Sequence, residues 1–192
     1  MKFYKIITYL CIVLLNYSCA TLKKNEIIEN KVELTRENLN LIDGTYKIDE
    51  NKYLSYSDYF LGSFCTNKES KLVYKIRKKS GIEPLFFITL SVLNKNKIKA
   101  KLKINNSVLK TYTIRGKIKN GYFEQNRKGY ILPALLINEF QSYKFRIGLL
   151  NDGNIITDSK KVDFGTVYFF SPFNNSGSNY NLRHNRILNL KK

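Results

Sequence analysis

The octapeptide Lys97-Ile98-Lys99-Ala100-Lys101-Leu102-Lys103-Ile104 alternates without exception between a lysine and an apolar residue. Successive side chains of a β-strand point to opposite faces, so a period of two puts the lysines on one face and the apolar residues on the other. On a helix the same residues would be spread around the whole circumference. The segment therefore predicts a half-buried strand, with its lysine side in water and its apolar side on a core.

The same alternation recurs along the chain. Residues 143–149 alternate large apolar side chains with two cations and a glycine, and residues 71–77 alternate in a similar way. Residues 86–92 present an apolar face of Phe, Ile, Leu and Val. These patterns are typical of half-buried strands. Further strands are predicted at residues 41–48, 108–115, 117–125, 154–158 and 162–170.

Short polar connections separate the predicted strands. They are rich in Asn, Asp and Gly, which accept the positive φ of tight hairpin turns, and they lie at residues 94–96, 105–106, 119–121 and 151–154. Consecutive strands joined in this way are antiparallel neighbours, and a meander hides its edges best by curling on itself. We therefore predict a mainly β domain over residues 41–172, an antiparallel meander of about eight strands closed or rolled into a barrel.

Three segments depart from this pattern. Residues 53–64 place aromatic side chains three or four positions apart, which predicts a short helix after the first strand. Residues 131–140 leave strand and short helix both open, because Pro133 is unfavourable in a central strand. Residues 173–192 are rich in Asn and Ser and predict a polar C-terminal tail that is loop-like or disordered.

The N-terminus has the layout of a secretory signal peptide. Lys2 and Lys5 are followed by an apolar run over residues 6–15 and then by a short polar approach to Cys19, which is the order of regions that such peptides share. A membrane-spanning helix requires ~20 apolar residues, about twice the length of this run. Residues 1–18 are therefore predicted to be a signal peptide rather than a transmembrane segment.

Cys19 is the candidate lipid-attachment site. The segment Leu14-Leu15-Asn16-Tyr17-Ser18-Cys19 resembles a bacterial lipobox, in which a small residue precedes a cysteine that is acylated, for example with palmitate, and begins the mature chain. Asn16 stands where the box usually has leucine, as in the loosened boxes of Bacteroidota lipoproteins. The alternative is an ordinary signal peptide that leaves Cys19 as an incidental thiol. If Cys19 is acylated, residues 19–40 are a lipidated N-terminus and polar tether on a membrane.

A second resemblance covers most of the predicted β domain. Residues 42–46, Ile-Asp-Gly-Thr-Tyr, are similar to the L-x-G-x-Y opening of small lipocalin-like β-barrel lipoproteins of Bacteroidota type. The strands and turns of these lipoproteins also have sequences similar to residues 115–123, 146–149 and 151–156. The resemblance implies a lipocalin-like barrel in the cell envelope and carries over no catalytic residue. The acidic export signal of some such lipoproteins is missing from residues 20–24, which favours an outer-membrane anchor facing the periplasm.

The sequence offers little for catalysis. It has one histidine, His184, and three cysteines without metal-ligand spacing, so neither a zinc site nor any other cofactor is expected. Cys65 is predicted to be a small buried hydrophobe. Sequence does not reveal whether two carboxylates converge as glycoside hydrolysis requires, but we do not expect an enzyme. Turn and strand-end roles are predicted for the aspartates Asp43, Asp58, Asp152, Asp158 and Asp163.

The formal net charge is +18, and about +16 remains once Lys2 and Lys5 leave with the signal peptide. Export argues against nucleic acid as the partner and favours anionic envelope components, such as phospholipid headgroups or acidic polysaccharides. Two explanations of the charge stay open, selected affinity for anions and an A/T-rich codon bias that fills surfaces with lysine. The residues predicted to face anions are Lys97, Lys99, Lys101, Lys103, Lys144 and Arg146.

Two functional hypotheses follow for a non-catalytic lipoprotein. In the first, the lipocalin-like barrel binds a small apolar or amphipathic ligand or an envelope component, because barrels of about eight strands can hold one small ligand. In the second, aromatic side chains fill the barrel, and the chain has a structural or assembly role, docking on a partner protein or an anionic glycan through its lysine-rich face. For the first, the residues predicted to line the pocket are Tyr56, Phe60, Phe64, Tyr168 and Phe170.

Overall fold

The computed structural model describes residues 21–22, 30–47, 86–104, 107–131, 137–168 and 171–187. Strands make up 78% of them, and no α-helix occurs within them, so the expectation of a mainly β chain is confirmed. In chain order the elements are β1 (Lys31–Val32), a 3-10 helix (Leu39–Ile42), β2 (Gly44–Lys47), β3 (Phe86–Asn94), β4 (Lys97–Ile104), β5 (Ser107–Arg115), β6 (Lys117–Lys119), β7 (Tyr122–Ile131), β8 (Ile137–Leu150), β9 (Ile155–Val167) and β10 (Ser171–Ile187).

The strands form one antiparallel sheet. Its path runs β5-β4-β3-β2-β10-β9-β8-β7-β6, and β1 pairs with β8 beside this path. Consecutive strands are neighbours from β2 to β5 and again from β6 to β10, as a meander requires. Within the described residues the path does not close on itself. The barrel expected from the sequence is therefore not confirmed.

The two ends of this path, β5 and β6, are separated in the chain by Gly116 alone. β5 pairs with β4 and β6 pairs with β7, so the chain changes its partner strand at this glycine. A Cβ here would lie 2.5 Å from the carbonyl oxygen of Glu124 and 2.7 Å from the ring of Phe123. Only glycine allows so close an approach of two backbones. The N–H of Gly116 donates to the carbonyl oxygen of Asn96 at 3.0 Å, in the turn before β4.

Two of the predicted turns, at residues 119–121 and 151–154, have the expected left-handed backbone. Asn120 (φ 51°) and Gly121 (φ 72°) are both left-handed, which is the combination that a two-residue type I′ hairpin turn requires. Their turn divides the strand predicted at residues 117–125 into β6 and β7. Gly153 (φ 79°) provides the left-handed residue between β8 and β9, and a turn over residues 95–96 joins β3 to β4.

Two expectations about the C-terminal part are wrong. β9 runs unbroken from Ile155 to Val167, where the sequence predicted two separate strands. The residues from 173 onward that were expected to be loop-like belong, as far as Ile187, to β10, the longest described strand. The single buried side chain of β10 is a polar one, His184. Buried apolar residues therefore do not alternate along β10, and the strand is held by backbone pairing with β9 and β2.

Other expectations lie outside the described residues. They include the helix at residues 53–64, the strand at residues 71–77, Cys65, and everything before residue 21 with the signal peptide and Cys19. In the part of the chain that the structure does describe, no helix has both the length and the apolar character needed to cross a membrane.

The described residues belong to two compact units. The larger contains residues 30–47, 86–104, 107–125, 145–159 and 179–187, and the smaller contains residues 21–22, 126–131, 137–144, 160–168 and 171–178. The core of the larger unit is the apolar face of its strands. Its members, each at most 1% exposed, include Tyr46, Ile88, Leu90, Ile98, Ala100, Leu102, Ile114, Phe123, Phe145, Ile147 and Ile155.

Aromatic rings from three strands meet in the smaller unit. The Phe140 ring of β8 lies 4.8 Å from the Tyr130 ring of β7 and 4.9 Å from the Phe164 ring of β9, measured between centroids. Tilted contacts of this kind contribute about 0.5–1.5 kcal/mol beyond the area that they bury. Phe140 is buried, whereas Tyr130 remains exposed.

Residues 42–46, on which the lipocalin-like resemblance depends, are fixed by their own side chains. Asp43 Oδ1 accepts the N–H of Val92 at 2.6 Å, and Thr45 Oγ1 lies 3.0 Å from Thr89 Oγ1 across the β2–β3 pair. These bonds attach the start of β2 to β3 on both sides of Gly44. The side chains of residues 43 and 45 thus have a structural role, which is to hold the start of β2 against β3.

Arg186 of β10 covers the same segment in the larger unit. It is the register partner of Tyr46, and its guanidinium donates to the carbonyl oxygen of Asp43 and stands 5.9 Å from the centroid of the Tyr46 ring. The Tyr46 hydroxyl donates to the carbonyl oxygen of Ile42 at 2.9 Å, and burial raises the pKa of Tyr46 to about 12. The start of β2 and the last strand, β10, are thereby joined through side chains as well as backbone.

Candidate functional site

Four lysines stand on one face of β4, and we call them the lysine row: Lys97, Lys99, Lys101 and Lys103. The apolar residues that alternate with them are buried, as the sequence predicted. Lys97 is exposed and the other three are half-buried, because their aliphatic stems cover the sheet while the ammonium groups reach solvent. Alternate residues of a strand lie ~6.8 Å apart, so the row is ~20 Å long.

Short hydroxyl side chains flank the lysine row. In the register of the sheet, the partners of Lys99 and Lys101 on β3 and β5 are Thr89, Ser91, Thr111 and Thr113. These side chains are too short to cover the ammonium groups, and each hydroxyl can donate or accept a hydrogen bond. A molecule lying along β4 would therefore meet positive charges and hydroxyl groups together.

No acidic residue of the neighbouring strands neutralises the row. β2 to β5 contain no Asp or Glu, and none of the four lysines forms an ion pair with a described carboxylate. Like charges ~6.8 Å apart repel by about 0.6 kcal/mol in water, which a bound anion would relieve. The sequence carries the same signal, since residues 84–123 hold nine Lys and Arg and no Asp or Glu.

The other two residues predicted to face anions have different surroundings. Lys144 is half-buried on β8, in the smaller unit. Arg146 forms a buried ion pair, in which its Nε donates to Asp158 Oδ2 at 2.5 Å and the two side chains are 12% and 1% exposed. The expectation that Arg146 faces anions is therefore wrong, because its charge is already balanced within the sheet.

Tyr122 of β7 contacts two cations. Its ring centroid lies 3.9 Å from Lys31 Nζ and 4.6 Å from the Arg146 guanidinium carbon, and cation–π contacts of this kind contribute about 0.5–2 kcal/mol. The ring is buried with Leu150 and Ile156. Burial raises the pKa of the Tyr122 hydroxyl against the opposing effect of Arg146, and burial lowers the pKa of Lys31.

Two aspartates have roles that the sequence did not predict. Asp158 and Asp163 lie inside β9, 1% and 5% exposed, so the turn role predicted for them is wrong. Besides its ion pair, Asp158 accepts the N–H of Asn181 at Oδ1, 2.6 Å away. Buried carboxylates need such partners. Asp43 and Asp152 do serve a strand end and a turn, by accepting backbone N–H groups.

Of the residues predicted to line a pocket, Tyr168 is the one that lies in the described part of the chain. Tyr168 is 61% exposed at a left-handed turn between β9 and β10, so it lines no enclosed cavity. Three of the large inward side chains of the larger unit, Tyr46, Phe123 and Phe145, retain 0–1% of their accessible surface and so contact protein rather than open space. The remaining candidates lie outside the described residues: Tyr56, Phe60, Phe64 and Phe170.

The histidine that the sequence placed in a polar tail is buried. His184 is 1% exposed, and its Nε2 lies 2.9 Å from Thr157 Oγ1 of β9. Burial lowers the pKa of His184 to about 4, so the ring is neutral in the folded protein at neutral pH. Within the described residues, no group of three or more His, Cys, Asp and Glu side chains is placed to hold a metal ion.

The described surface thus offers one strongly cationic face, whose charge is not balanced by neighbouring acids, and a sheet interior stabilised by a buried ion pair and a neutral histidine. Comparison with protein-family models, with curated proteins and with solved structures gives no match to this chain.

Proposed function

We propose that the chain is an envelope lipoprotein, anchored through Cys19 in the outer membrane and facing the periplasm, whose non-catalytic β domain docks on an anionic glycan through the lysine row. The carrying observation is the row itself, four cations on one strand without a neighbouring acid. Their regular ~6.8 Å spacing suits a repeating anionic chain better than one small anion. The flanking Thr and Ser hydroxyls suit the hydroxyls of a glycan.

Binding of a small apolar ligand inside a barrel is less well supported. That function needs a cavity lined by the inward side chains of the sheet, and the large inward side chains described in the larger unit, such as Tyr46, Phe123 and Phe145, are 0–1% exposed. Among the described residues, the outer face of the strands is therefore the surface that is open to recognition. This favours docking over enclosure.

The variant Lys97→Gln/Lys99→Gln/Lys101→Gln/Lys103→Gln is expected to bind dextran sulfate and polygalacturonate at least about tenfold more weakly. Exposed ion pairs contribute ~0.3–0.5 kcal/mol each, and four of them reach the ~1.4 kcal/mol that corresponds to a factor of ten. Titration calorimetry at increasing salt measures this. The wild-type affinity should fall as salt screens the contacts, and the variant should lose most of that dependence.

The matched control is Arg36→Gln/Lys117→Gln/Lys119→Gln/Lys128→Gln, which removes the same charge from exposed positions outside β4. It should retain most of the affinity for both polymers. Equal losses of affinity in the two variants would mean that the polymer responds to the net charge of the protein and not to the lysine row. That result would fit lysines introduced by codon bias and would contradict the proposal. Tighter binding to vesicles of anionic phospholipid than to either polymer would assign the row to headgroups instead.

The anchor is tested at its cysteine. A Cys19→Ser chain expressed in a bacterium with lipoprotein processing should lose labelling by radioactive palmitate and leave the membrane fraction, because two or more acyl chains make the difference between marginal and stable membrane binding. Cys65→Ser is the control and should remain labelled and membrane-bound. A Cys19→Ser chain that is still labelled would rule out this cysteine as the attachment site.

A further inference from the structure

The larger unit carries an open polar groove that shares no residue with the lysine row. Its volume is about 480 Å³, within the ~300–1,000 Å³ of small-molecule sites. Two of its lining residues are apolar, Leu150 and Ile156, which are 7% and 4% exposed. The other lining residues are polar: Asn30, Asn151 and Asn181 together with the ion pair of Arg183 and Asp152.

The three asparagine side chains are available to a ligand. None of their amides forms a hydrogen bond with another described residue, although their backbone groups do. Each carboxamide offers one accepting oxygen and two donating N–H groups. The groove therefore offers hydrogen-bond donors and acceptors together with two apolar lining residues.

Backbone geometry and backbone hydrogen bonds fix the positions of the residues that carry these side chains. Asn30 (φ 69°) and Asn181 (φ 56°) are left-handed, a conformation that Asn adopts more readily than most residues. The N–H of Asn151 donates to the carbonyl oxygen of Asn30 at 2.9 Å, and the N–H of Asn181 donates to the buried Asp158 at 2.6 Å. A ligand therefore need not order the backbone of the groove when it binds.

We propose that this groove binds a neutral saccharide unit. A pyranose ring has a face of C–H groups, which would pack on Leu150 and Ile156, and a rim of hydroxyls that both donate and accept hydrogen bonds, as carboxamides do. A charged ligand fits less well, because Asp152 already balances Arg183. The inference goes beyond the proposed function and does not depend on the lysine row.

The test uses the full-length chain in detergent micelles and the neutral sugars mannose, galactose and N-acetylglucosamine with their disaccharides. Saturation-transfer NMR should show transfer to the ring C–H protons of at least one sugar, and titration of that sugar gives its affinity. The variant Asn30→Gly/Asn181→Gly removes two amides without straining the left-handed backbone. It should bind about 30-fold more weakly, since each hydrogen bond contributes about 1 kcal/mol.

The control variant is Asn174→Gly/Asn175→Gly, which removes two exposed asparagine amides of β10 outside the groove. It should bind the sugar as the wild type does, and urea unfolding should show that both variants are folded. Absence of transfer to every sugar of the panel at millimolar concentration overturns the proposal, as do equal losses in the two variants. Loss of polymer binding in the lysine-row variant leaves it unaffected.

Discussion

Replacing Asp158 with alanine is expected to lower the free energy of unfolding by about 3–5 kcal/mol, the range found when one partner of a buried ion pair is removed. Arg146 is 12% exposed and would keep its charge inside the sheet after losing Asp158. The N–H of Asn181 would lose its acceptor at the same time. Urea unfolding at neutral pH, followed by circular dichroism, measures the change.

The chain contains its own control for this prediction. Asp152 pairs with Arg183 at the surface, where the two side chains are 44% and 55% exposed, and exposed pairs contribute about 0–1 kcal/mol. Asp152→Ala also removes the acceptor of the Asn154 N–H, so a total below about 2 kcal/mol is expected. If Asp158→Ala costs no more than Asp152→Ala, the buried pair is not stabilising. The double variant Arg146→Met/Asp158→Leu should recover most of the loss, because it removes both charges of the pair.

Strands with one solvent-exposed face and one buried face could be predicted from the sequence. The octapeptide at 97–104 is β4 at the predicted bounds, and β3 and β5 differ from prediction by one or two residues at their ends. An alternation of lysine with Ile or Leu has one physical solution when a core is available, which is burial of the apolar face. The Asn120-Gly121 turn could also be predicted from the sequence, because few other pairs of residues accept two consecutive left-handed conformations.

Strands held mainly by backbone pairing could not be predicted in this way. β10 has exposed side chains over most of its length, and its one buried position is occupied by His184 rather than by an apolar residue. The hydropathy pattern therefore does not predict a strand there, because β10 is held by backbone pairing with its neighbours β9 and β2. The alternation around Arg146 was visible, but sequence does not show which acid comes beside which base, and Asp158 is twelve positions away.

The candidate site was predicted in part. The four lysines of β4 share a face as expected. That face is strongly cationic because the neighbouring strands β2, β3 and β5 contain no Asp or Glu. Overall composition hides this, because fifteen Asp and Glu are present elsewhere in the chain. The groove of asparagines was not predictable, since it is assembled from residues near 30, 151 and 181. Such distant residues meet only through the order of the strands.

His184 is expected to make the protein less stable in acid. Its folded-state pKa is about 4 because of burial, whereas an unfolded histidine has a pKa of about 6.5. Between these values the unfolded chain binds the proton more tightly, so the free energy of unfolding rises with pH. The full contribution is present above about pH 6.5, and about 3 kcal/mol of it is lost as the pH falls to about 4.

The measurement is the free energy of unfolding in urea at several values between pH 7 and pH 4, for the wild type and for His184→Gln. Carboxylates titrate in the lower part of this range in both proteins, so the quantity that isolates the histidine is the difference between the two curves. Glutamine cannot take up a proton, yet it can keep a hydrogen bond to Thr157, which the ring of His184 makes at 2.9 Å. The wild type should lose about 3 kcal/mol more than the variant over this range. Parallel curves would mean that the ring is protonated in the folded state without penalty, and so that water reaches a side chain that the structure buries to 1% exposure.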